Sequence, residues 1–134
     1  MLDKRELGTE DRKMSEIQSH RDLIVWQKSM DLVVQVYRLS DRFPKVEMYR
    51  MTSQITRAVV SVPANIAEGN ARGTRKDYAN FLAIAKGSLM ETETFLMLAV
   101  RLDYLTPQEV NPTLNLIVEI SKMLTALRKR LLES

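Results

Sequence analysis

The sequence predicts an all-α protein, folded as an antiparallel up-down-up-down four-helix bundle, and three observations support this class. Apolar residues recur every three or four positions through most of the chain, which is the spacing of one side of an α-helix. Only four glycines and four prolines occur in 134 residues, so turns are few and the elements between them are long. No strong strand or hairpin pattern is present. Four long helices joined by short loops pack most simply as an antiparallel bundle.

The first helix is predicted over about residues 22–42. Asp22 is suited to the N-cap, where its carboxylate accepts from the free N–H groups of the first turn. The dipeptide Phe43-Pro44 ends the helix, because proline disfavours helical geometry in the residue before it. Two apolar sides are predicted, formed by Leu23, Trp26, Met30, Val33 and Tyr37, and by Leu32, Val36, Leu39 and Phe43.

The second helix is predicted over about residues 46–70, with one apolar stripe and one internal proline. Pro63 removes a backbone donor and crowds the carbonyl of Val59. We expect a kink at Pro63 and not a break, because the apolar spacing continues beyond it. Gly69 and Gly73 mark the exit from the helix, where a positive φ is easily adopted.

The third helix is predicted over about residues 74–103, starting at a capping-box-like pattern with Thr74 as N-cap and Asp77 in place of Glu. It also has two apolar sides. A ridge of small residues recurs every four positions and would let a neighbouring helix approach closely. The ridge comprises Ala79, Ala83 and Gly87.

The fourth helix is predicted to begin near Thr106. Thr106 suits the N-cap, Pro107 the first helical position and Glu109 the third. The dipeptide Asn111-Pro112 repeats a start signal five residues later. Either the first turn is a separate element, or the helix bends at this point.

The predicted organisation is a polar N-terminal tail, residues 1–20, followed by the bundle, residues 21–134. The tail lacks the apolar core of a signal peptide, and no apolar run approaches the ~20 residues of a membrane span. It holds four basic and five acidic side chains, and the bundle holds the other 16 and 12. The absence of cysteine excludes disulfides, thiolate metal sites and a cysteine nucleophile. A cytoplasmic bacterial protein with a mildly basic bundle is expected.

The apolar surface exceeds what one bundle needs. A bundle helix requires about one apolar stripe of ~100°, whereas the first and third helices each have two. A second subunit would cover the surplus, and the eight methionines suit the irregular gaps of such a seam. The sequence therefore predicts a homo-oligomer, the alternative being a monomer with a thick core.

Seven polar residues of the second helix share one side, because they are spaced 4, 3, 4, 4, 3 and 4: Arg50, Gln54, Arg57, Ser61, Asn65, Glu68 and Arg72. Three interpretations are open, namely a solvated surface, a structural network, or a surface whose arginines reach phosphates. In the structural interpretation, Arg57 pairs with Glu91 or Glu93 on the third helix. Its polar neighbours bind the backbone that Pro63 leaves free. The members of this predicted network are Arg57, Ser61, Asn65, Glu68 and Glu91.

No catalytic constellation is apparent. The single histidine, His20, lies before the first helix, so Ser61 and Ser88 have no histidine base in the bundle. Glu91 and Glu93 are two residues apart and point in different directions on a helix. A hydrolase that holds magnesium with glutamates from several helices is the weakest alternative, since the usual Glu-x-x-Glu spacing is missing. No enzymatic activity, cofactor or metal is expected.

Basic residues gather at two helix ends. One group follows the second helix and the other lies at the end of the fourth, and together they are Arg72, Arg75, Lys76, Arg128, Lys129 and Arg130. These six residues are the candidate nucleic-acid site, the alternative being ordinary solvation of helix ends. No aromatic residues interleave them, so contact with the nucleic-acid backbone is expected without base stacking.

Several segments of the chain carry a family resemblance. They are DLIVWQK at 22–28, FP at 43–44, SQITRA at 53–58, SVPANIAEG at 61–69 followed by Arg72, and AKGS at 85–88 followed by Glu91. In this order they resemble the four helix bundle protein family, also known as the 23S rRNA intervening-sequence proteins, over about residues 20–132. The chain departs from the usual pattern in its N-terminal tail and in Asn70-Ala71, where an aromatic residue or another glycine is common.

The resemblance implies an assembly that spacing alone does not. Related accessory proteins of diversity-generating retroelements form pentameric barrels with a basic outer surface and are associated with nucleic acid and reverse transcriptase. No enzymatic activity is attached to the family. The expected function is therefore that of a homo-oligomer, a pentamer by resemblance, which binds RNA or DNA backbone. The runner-up is a protein-interaction scaffold, for example a partner of a reverse transcriptase, and no membrane partner is expected.

Overall fold

The computed structural model describes residues 19–133, which form four α-helices and no strands within that range. We number the helices α1 (Ile24–Ser40), α2 (Met51–Asn70), α3 (Arg75–Arg101) and α4 (Pro107–Leu132). Two single-turn 3-10 helices, His20–Asp22 and Lys45–Glu47, precede α1 and α2. The all-α class is thus confirmed. The predicted tail lies, apart from its last two residues, outside the described residues.

The four helices contact one another in a cyclic order. Over the described residues, α2 packs between α1 and α3, and α4 packs between α3 and α1, with no contact across either diagonal. This is the neighbour relation of a four-helix bundle. One apolar core fills the centre, and its largest fully buried side chains include Leu32, Ile55, Ile66, Leu89 and Ile120. Burial of each such side chain stabilises the fold by roughly 1.5–3 kcal/mol.

The predicted N-caps of the third and fourth helices are confirmed. The Thr74 side chain accepts a hydrogen bond from the backbone N–H of Asp77 at 3.1 Å. Thr106 accepts from the backbone N–H of Glu109 at 3.2 Å, and the Glu109 carboxylate accepts from the Thr106 N–H at 3.0 Å, which completes a capping box. Both starts depend on residues three apart in sequence, and they follow from local chemistry alone.

The starts of the first two helices differ from the prediction. Asp22 lies in the 3-10 turn, and Leu23 occupies the N-cap of α1 without a side-chain hydrogen bond. The second helix begins at Met51 and not near residue 46, because the chain after Pro44 first forms its own 3-10 turn. Arg50 then adopts a non-helical backbone conformation, with φ −118° and ψ −106°, immediately before α2.

The two internal prolines do not interrupt their helices. α2 continues through Pro63, and the predicted kink there stays a prediction. α4 is one helix from Pro107 to Leu132, so the proposed separate first turn before Pro112 is wrong. Pro112 has no backbone N–H, so the carbonyl of Gln108 lacks the donor that it would have in a regular helix. Both residues are exposed, so water can hydrogen-bond to that carbonyl.

The end of α3 is formed by a left-handed aspartate. Asp103 has φ 61°, in the region that favours glycine. The backbone N–H of Tyr104 donates to the carbonyl of Ala99 at 2.9 Å, and that of Asp103 donates to the carbonyl of Val100 at 3.0 Å. These two bonds are the pattern of a Schellman motif, in which the left-handed residue terminates the helix.

The single chain leaves much of its surplus apolar surface exposed. On α1, Leu32 and Val36 are fully buried, whereas Met30 and Tyr37 are 43 % and 46 % exposed. Large apolar side chains of α3 are also exposed, among them Ile84, Met97, Leu98 and Leu102. A thick core within one chain therefore does not absorb the second apolar sides. None of the helices in the described part of the chain has the length and apolar character needed to span a membrane.

Candidate nucleic-acid interface

The structure brings the two basic groups to one end of the molecule. One N–H of the Arg75 guanidinium donates to the backbone carbonyl of Arg130 at 3.0 Å. Nε of Arg128 donates to the backbone carbonyl of Ala79 at 3.2 Å. The start of α3 and the last turns of α4 are therefore in direct contact. We call the resulting surface the basic end, and its exposed members are Arg72, Arg75, Lys76, Arg128, Lys129 and Arg130.

Some cations of the basic end are already engaged. Arg72 pairs with Glu68 one turn earlier, with Nη2 2.9 Å from the carboxylate oxygen, and its guanidinium carbon lies 4.8 Å from the ring centre of Phe81. Arg75 donates to one of the carbonyl groups at the C-terminus of α4 that have no partner within the helix. A cation at this position also interacts favourably with the helix dipole. These contacts fix side chains and leave them less free to follow a ligand.

Three members of the basic end are not engaged in this way. The side chains of Lys76, Lys129 and Arg130 form no hydrogen bond and no ion pair with any residue that the structure describes. All three are exposed. They are consequently the cations that are available for phosphate, and sequence spacing gave no way to distinguish them from the other three.

A groove between α3 and α4 adjoins the basic end and was missed in the sequence. It has a volume of about 740 Å³, and its apolar lining includes Leu82, Met90, Leu124 and Leu132. Arg128 and Lys129 stand at its rim, and Lys86 crosses it to donate to Oγ1 of Thr125 at 2.8 Å. The groove joins an apolar floor to a basic margin.

The ridge of small residues was the signal for this groove, although its predicted role was wrong for two members. Ala79 is buried, but Ala83 and Gly87 line the open groove. Apart from its chain neighbours and the adjoining backbone of its own helix, no heavy atom of the described residues lies within 4 Å of the position that a Cβ on Gly87 would occupy. The close helix approach occurs instead at Gly69, where α2 touches α3.

A small polar network joins α2 to α3 near Pro63. The hydroxyl oxygens of Ser61 and Ser88 are 2.8 Å apart and share a hydrogen bond. Nδ2 of Asn65 donates to both the hydroxyl and the carbonyl oxygen of Ser61, each at 2.8 Å. All three side chains are half-buried, so their mutual bonds satisfy polar groups that water reaches only in part.

This network is narrower than the predicted one. Arg57 and Glu91 are exposed, and neither forms a hydrogen bond or ion pair with another residue in the range 19–133. Glu68 pairs with Arg72 and not with the serines. Asn65 binds the carbonyl of Ser61, not the Val59 carbonyl that Pro63 leaves free. The spacing along α2 predicted a shared side for Arg57, Ser61, Asn65 and Glu68, but it could not show how α3 is rotated against that side.

The glutamates do not assemble into a metal site in the part of the chain that the structure describes. No group of three histidine, aspartate or glutamate side chains there is close enough to hold one ion together. Glu47 instead lies 4.0 Å from Arg50, and Glu68 is bound to Arg72. The geometry thus offers no support for the magnesium-dependent alternative.

The family resemblance is confirmed by comparison with known proteins. The family model described as 23S rRNA-intervening sequence protein matches residues 21–126. The chain belongs to this family. The match covers all of α1, α2 and α3 and most of α4, and it therefore includes the polar network as well as Arg72, Arg75 and Lys76 of the basic end.

A solved structure supports the same family and fold. It is a crystal structure of a protein with unknown function from the S23 ribosomal protein family of Bacteroides thetaiotaomicron, and it shares 32 % sequence identity with this chain. The TM-score is 0.73, and the match covers 79 % of this chain and 99 % of that one. No match was found among curated proteins.

Proposed function

We propose that this protein is a cytoplasmic, non-enzymatic homo-oligomer that binds the backbone of RNA or DNA through its basic end. The observation that carries the proposal is the convergence of two separate basic groups, with Lys76, Lys129 and Arg130 exposed and without partners among the described residues. The family description refers to 23S rRNA, which makes structured RNA the first ligand to test.

Phosphate attraction is the expected source of affinity. Lysine and arginine side chains displace condensed counterions from the nucleic acid, and this term is independent of sequence. Phe81 is the aromatic ring in contact with the basic end, and Arg72 already covers it. Base stacking therefore contributes little, and weak sequence preference is expected.

The first experiment measures binding of a fluorescent structured RNA by anisotropy at two salt concentrations. The wild type is compared with a variant in which Lys76, Lys129 and Arg130 are each replaced by Gln. Because each phosphate contact adds roughly 0.7–0.9 to the slope of log affinity against log salt, this variant should lose about 2–3 from that slope. Absence of binding by the wild type at low salt would sink the proposal.

A matched control separates the basic end from general charge. Lys45, Arg101 and Lys122 are exposed, lie outside the basic end and have no ion pair among the described residues. Their replacement by Gln removes the same number of positive charges, three, from a different part of the surface. Equal loss of binding in the control and in the basic-end variant would show that net charge, and not this surface, attracts the RNA.

The proposed assembly is a homo-oligomer of antiparallel bundles, with five subunits expected from the family resemblance. Alternating helix direction is supported at both ends of α4. Arg42, just after α1, pairs with Glu109 in the first turn of α4, and Arg75 at the start of α3 binds Arg130 near the end of α4. Light scattering measures the subunit number, and a monomeric mass would refute the assembly.

The α3–α4 groove favours a second candidate, a scaffold that binds another protein and no nucleic acid. An apolar groove with charged margins suits a helix of a partner such as a reverse transcriptase-like protein. Replacing Ala83 by Arg would fill the groove with a bulky charged side chain. If this variant loses a defined protein partner while RNA binding is absent in all variants, the scaffold is favoured.

A further inference from the structure

Two exposed faces of the bundle each combine apolar side chains with one charged side chain that has no ion pair within residues 19–133. The first face lies on α1 and α2. Met30, Val34 and Tyr37 follow one another at four and three residues, so they share one side of α1. Tyr37, Arg57 and Val60 line one shallow groove between the two helices. The apolar members of this first face are 41–46 % exposed.

The second face lies on α3. Ile84, Glu91 and Leu98 are seven residues apart, which places them on one side of that helix, and Leu102, the C-cap of α3, follows Leu98 by four residues. Its apolar members are 41–52 % exposed. This side of α3 adjoins α2, because the neighbouring Ser88 binds Ser61 across the α2–α3 seam. The second face is thus a separate surface from the α3–α4 groove.

The two faces carry opposite charges that lack partners in the described part of the chain. Arg57 stands in the first face and Glu91 in the second, and both are exposed. Elsewhere, opposite charges on neighbouring helices pair within the chain, as Lys28 of α1 and Glu119 of α4 do at 2.8 Å. An apolar surface with a free cation and another with a free carboxylate are complementary in both hydrophobicity and charge.

We infer that the first face of one subunit packs against the second face of the next, with Arg57 bound to Glu91 of the adjoining subunit. This inference rests on the proposed homo-oligomer and names its interface. Because the two faces differ, the contact is head-to-tail and each subunit offers one of each. Both faces border α2, and a head-to-tail contact of this kind forms a closed ring when the rotation between successive subunits divides a full turn, and a fibre when it does not.

Charge reversal tests the pair. Arg57→Glu and Glu91→Arg each place like charges opposite one another, and the double variant R57E/E91R restores attraction at every contact. Close charge pairs in interfaces couple strongly enough that each single reversal should weaken association by about tenfold or more, and the double variant should recover most of this loss. Sedimentation velocity over a concentration series measures the association, and circular dichroism verifies the helical fold.

The control is Lys122→Glu, which makes the same charge change on α4, the helix that does not contact α2 in the described structure. It should assemble as the wild type does. Mixing the two single variants supplies a second readout, since an R57E subunit and an E91R subunit are complementary in charge at both of their mutual contacts. Association in the mixture beyond either variant alone supports the pair.

Two results separate the possible failures. A monomeric wild type refutes the proposed homo-oligomer itself. An assembled wild type whose single variants associate normally, or whose double variant and mixture fail to recover, overturns the Arg57–Glu91 contact and leaves the homo-oligomer standing.

Discussion

Gly69 lies at a close approach of α2 to α3, and its replacement by alanine is a sharp test of that packing. An added Cβ would lie 2.8 Å from Cβ of Phe81 and 3.0 Å from Cδ1 of Tyr78. It would also lie 3.2 Å from the carbonyl oxygen of Tyr78. The Phe81 Cβ and the carbonyl oxygen are fixed to the backbone, so rotation of a side chain cannot relieve the overlap and α3 has to shift.

The net effect is the difference between two terms. Overpacking of a tight contact costs typically ~1–3 kcal/mol, whereas alanine in place of glycine gains up to ~1 kcal/mol of helix propensity. Gly69 is the penultimate residue of α2, where the propensity gain is smaller. We therefore expect Gly69→Ala to lower the free energy of unfolding by about 1–2 kcal/mol, or Tm by roughly 4–8 °C.

Gly87→Ala is the matched control, because it is the same substitution within a helix but in open space. It should raise the free energy of unfolding by about 0.5–1 kcal/mol. Urea denaturation followed by circular dichroism, at one protein concentration for all chains, measures both. If Gly69→Ala is as stable as the wild type while Gly87→Ala is stabilised, the close approach of α2 and α3 at Gly69 is wrong.

Four further substitutions follow from local geometry. Thr106→Ala removes the capping box and should cost about 1 kcal/mol of unfolding free energy, measured in urea. Asp103→Gly relieves the left-handed backbone and should gain about 0.5–1 kcal/mol; a loss would contradict the Schellman end. The hydrogen bond from the Thr106 backbone, with a smaller contribution from Arg42, holds the pKa of Glu109 below its ordinary 4.5. The ionised Glu109 carboxylate therefore stabilises the fold above pH 4.5, and this stabilisation is lost as the pH falls through the lowered pKa. Glu109→Gln should be less stable than the wild type at neutral pH, and the two stabilities should converge in acid titrations. Burial raises the pKa of Tyr78 above 10.0, and the Asn70 hydrogen bond partly opposes this shift. The neutral phenol of Tyr78 therefore stabilises the fold below pH 10, and this stabilisation is lost as the pH rises through the pKa of the folded protein. Tyr78→Phe should reduce the loss of stability at alkaline pH, and ultraviolet absorbance follows the ionisation of the phenol.

The basic end shows which features of a site the positions of residues in the sequence can predict. The six basic residues were found from sequence because they lie at helix ends, and helix ends are marked by local signals. Their meeting required the contact of Arg75 with Arg130, which are 55 residues apart. The structure also shows which of the six cations already have partners: Arg72, for example, forms an ion pair with Glu68 and lies over the ring of Phe81.

The polar stripe of α2 illustrates the limit more clearly. The spacing of its seven residues predicted a shared side, with three interpretations of that side open; Arg50 and Arg72 fall outside α2. Ser61 is hydrogen-bonded to Ser88 and to Asn65, whereas Arg57 has no hydrogen bond or ion pair with any residue that the structure describes. Which of these side chains meets Ser88 depends on how α3 is rotated against α2, and the spacing along α2 does not encode that rotation.

The sequence by itself determined the helical class, the number of helices, the caps at Thr74 and Thr106, and the family. The helices and caps depend on groups within a few residues of one another, and the family is recognised from the order of motifs along the sequence. Tertiary structure alone decided that Gly69 and not Gly87 is a point of close approach between helices, and that Arg57 and Glu91 find no partner among the described residues. The physical reason is that such contacts depend on the rotation and separation of helices, which result from packing the whole core at once.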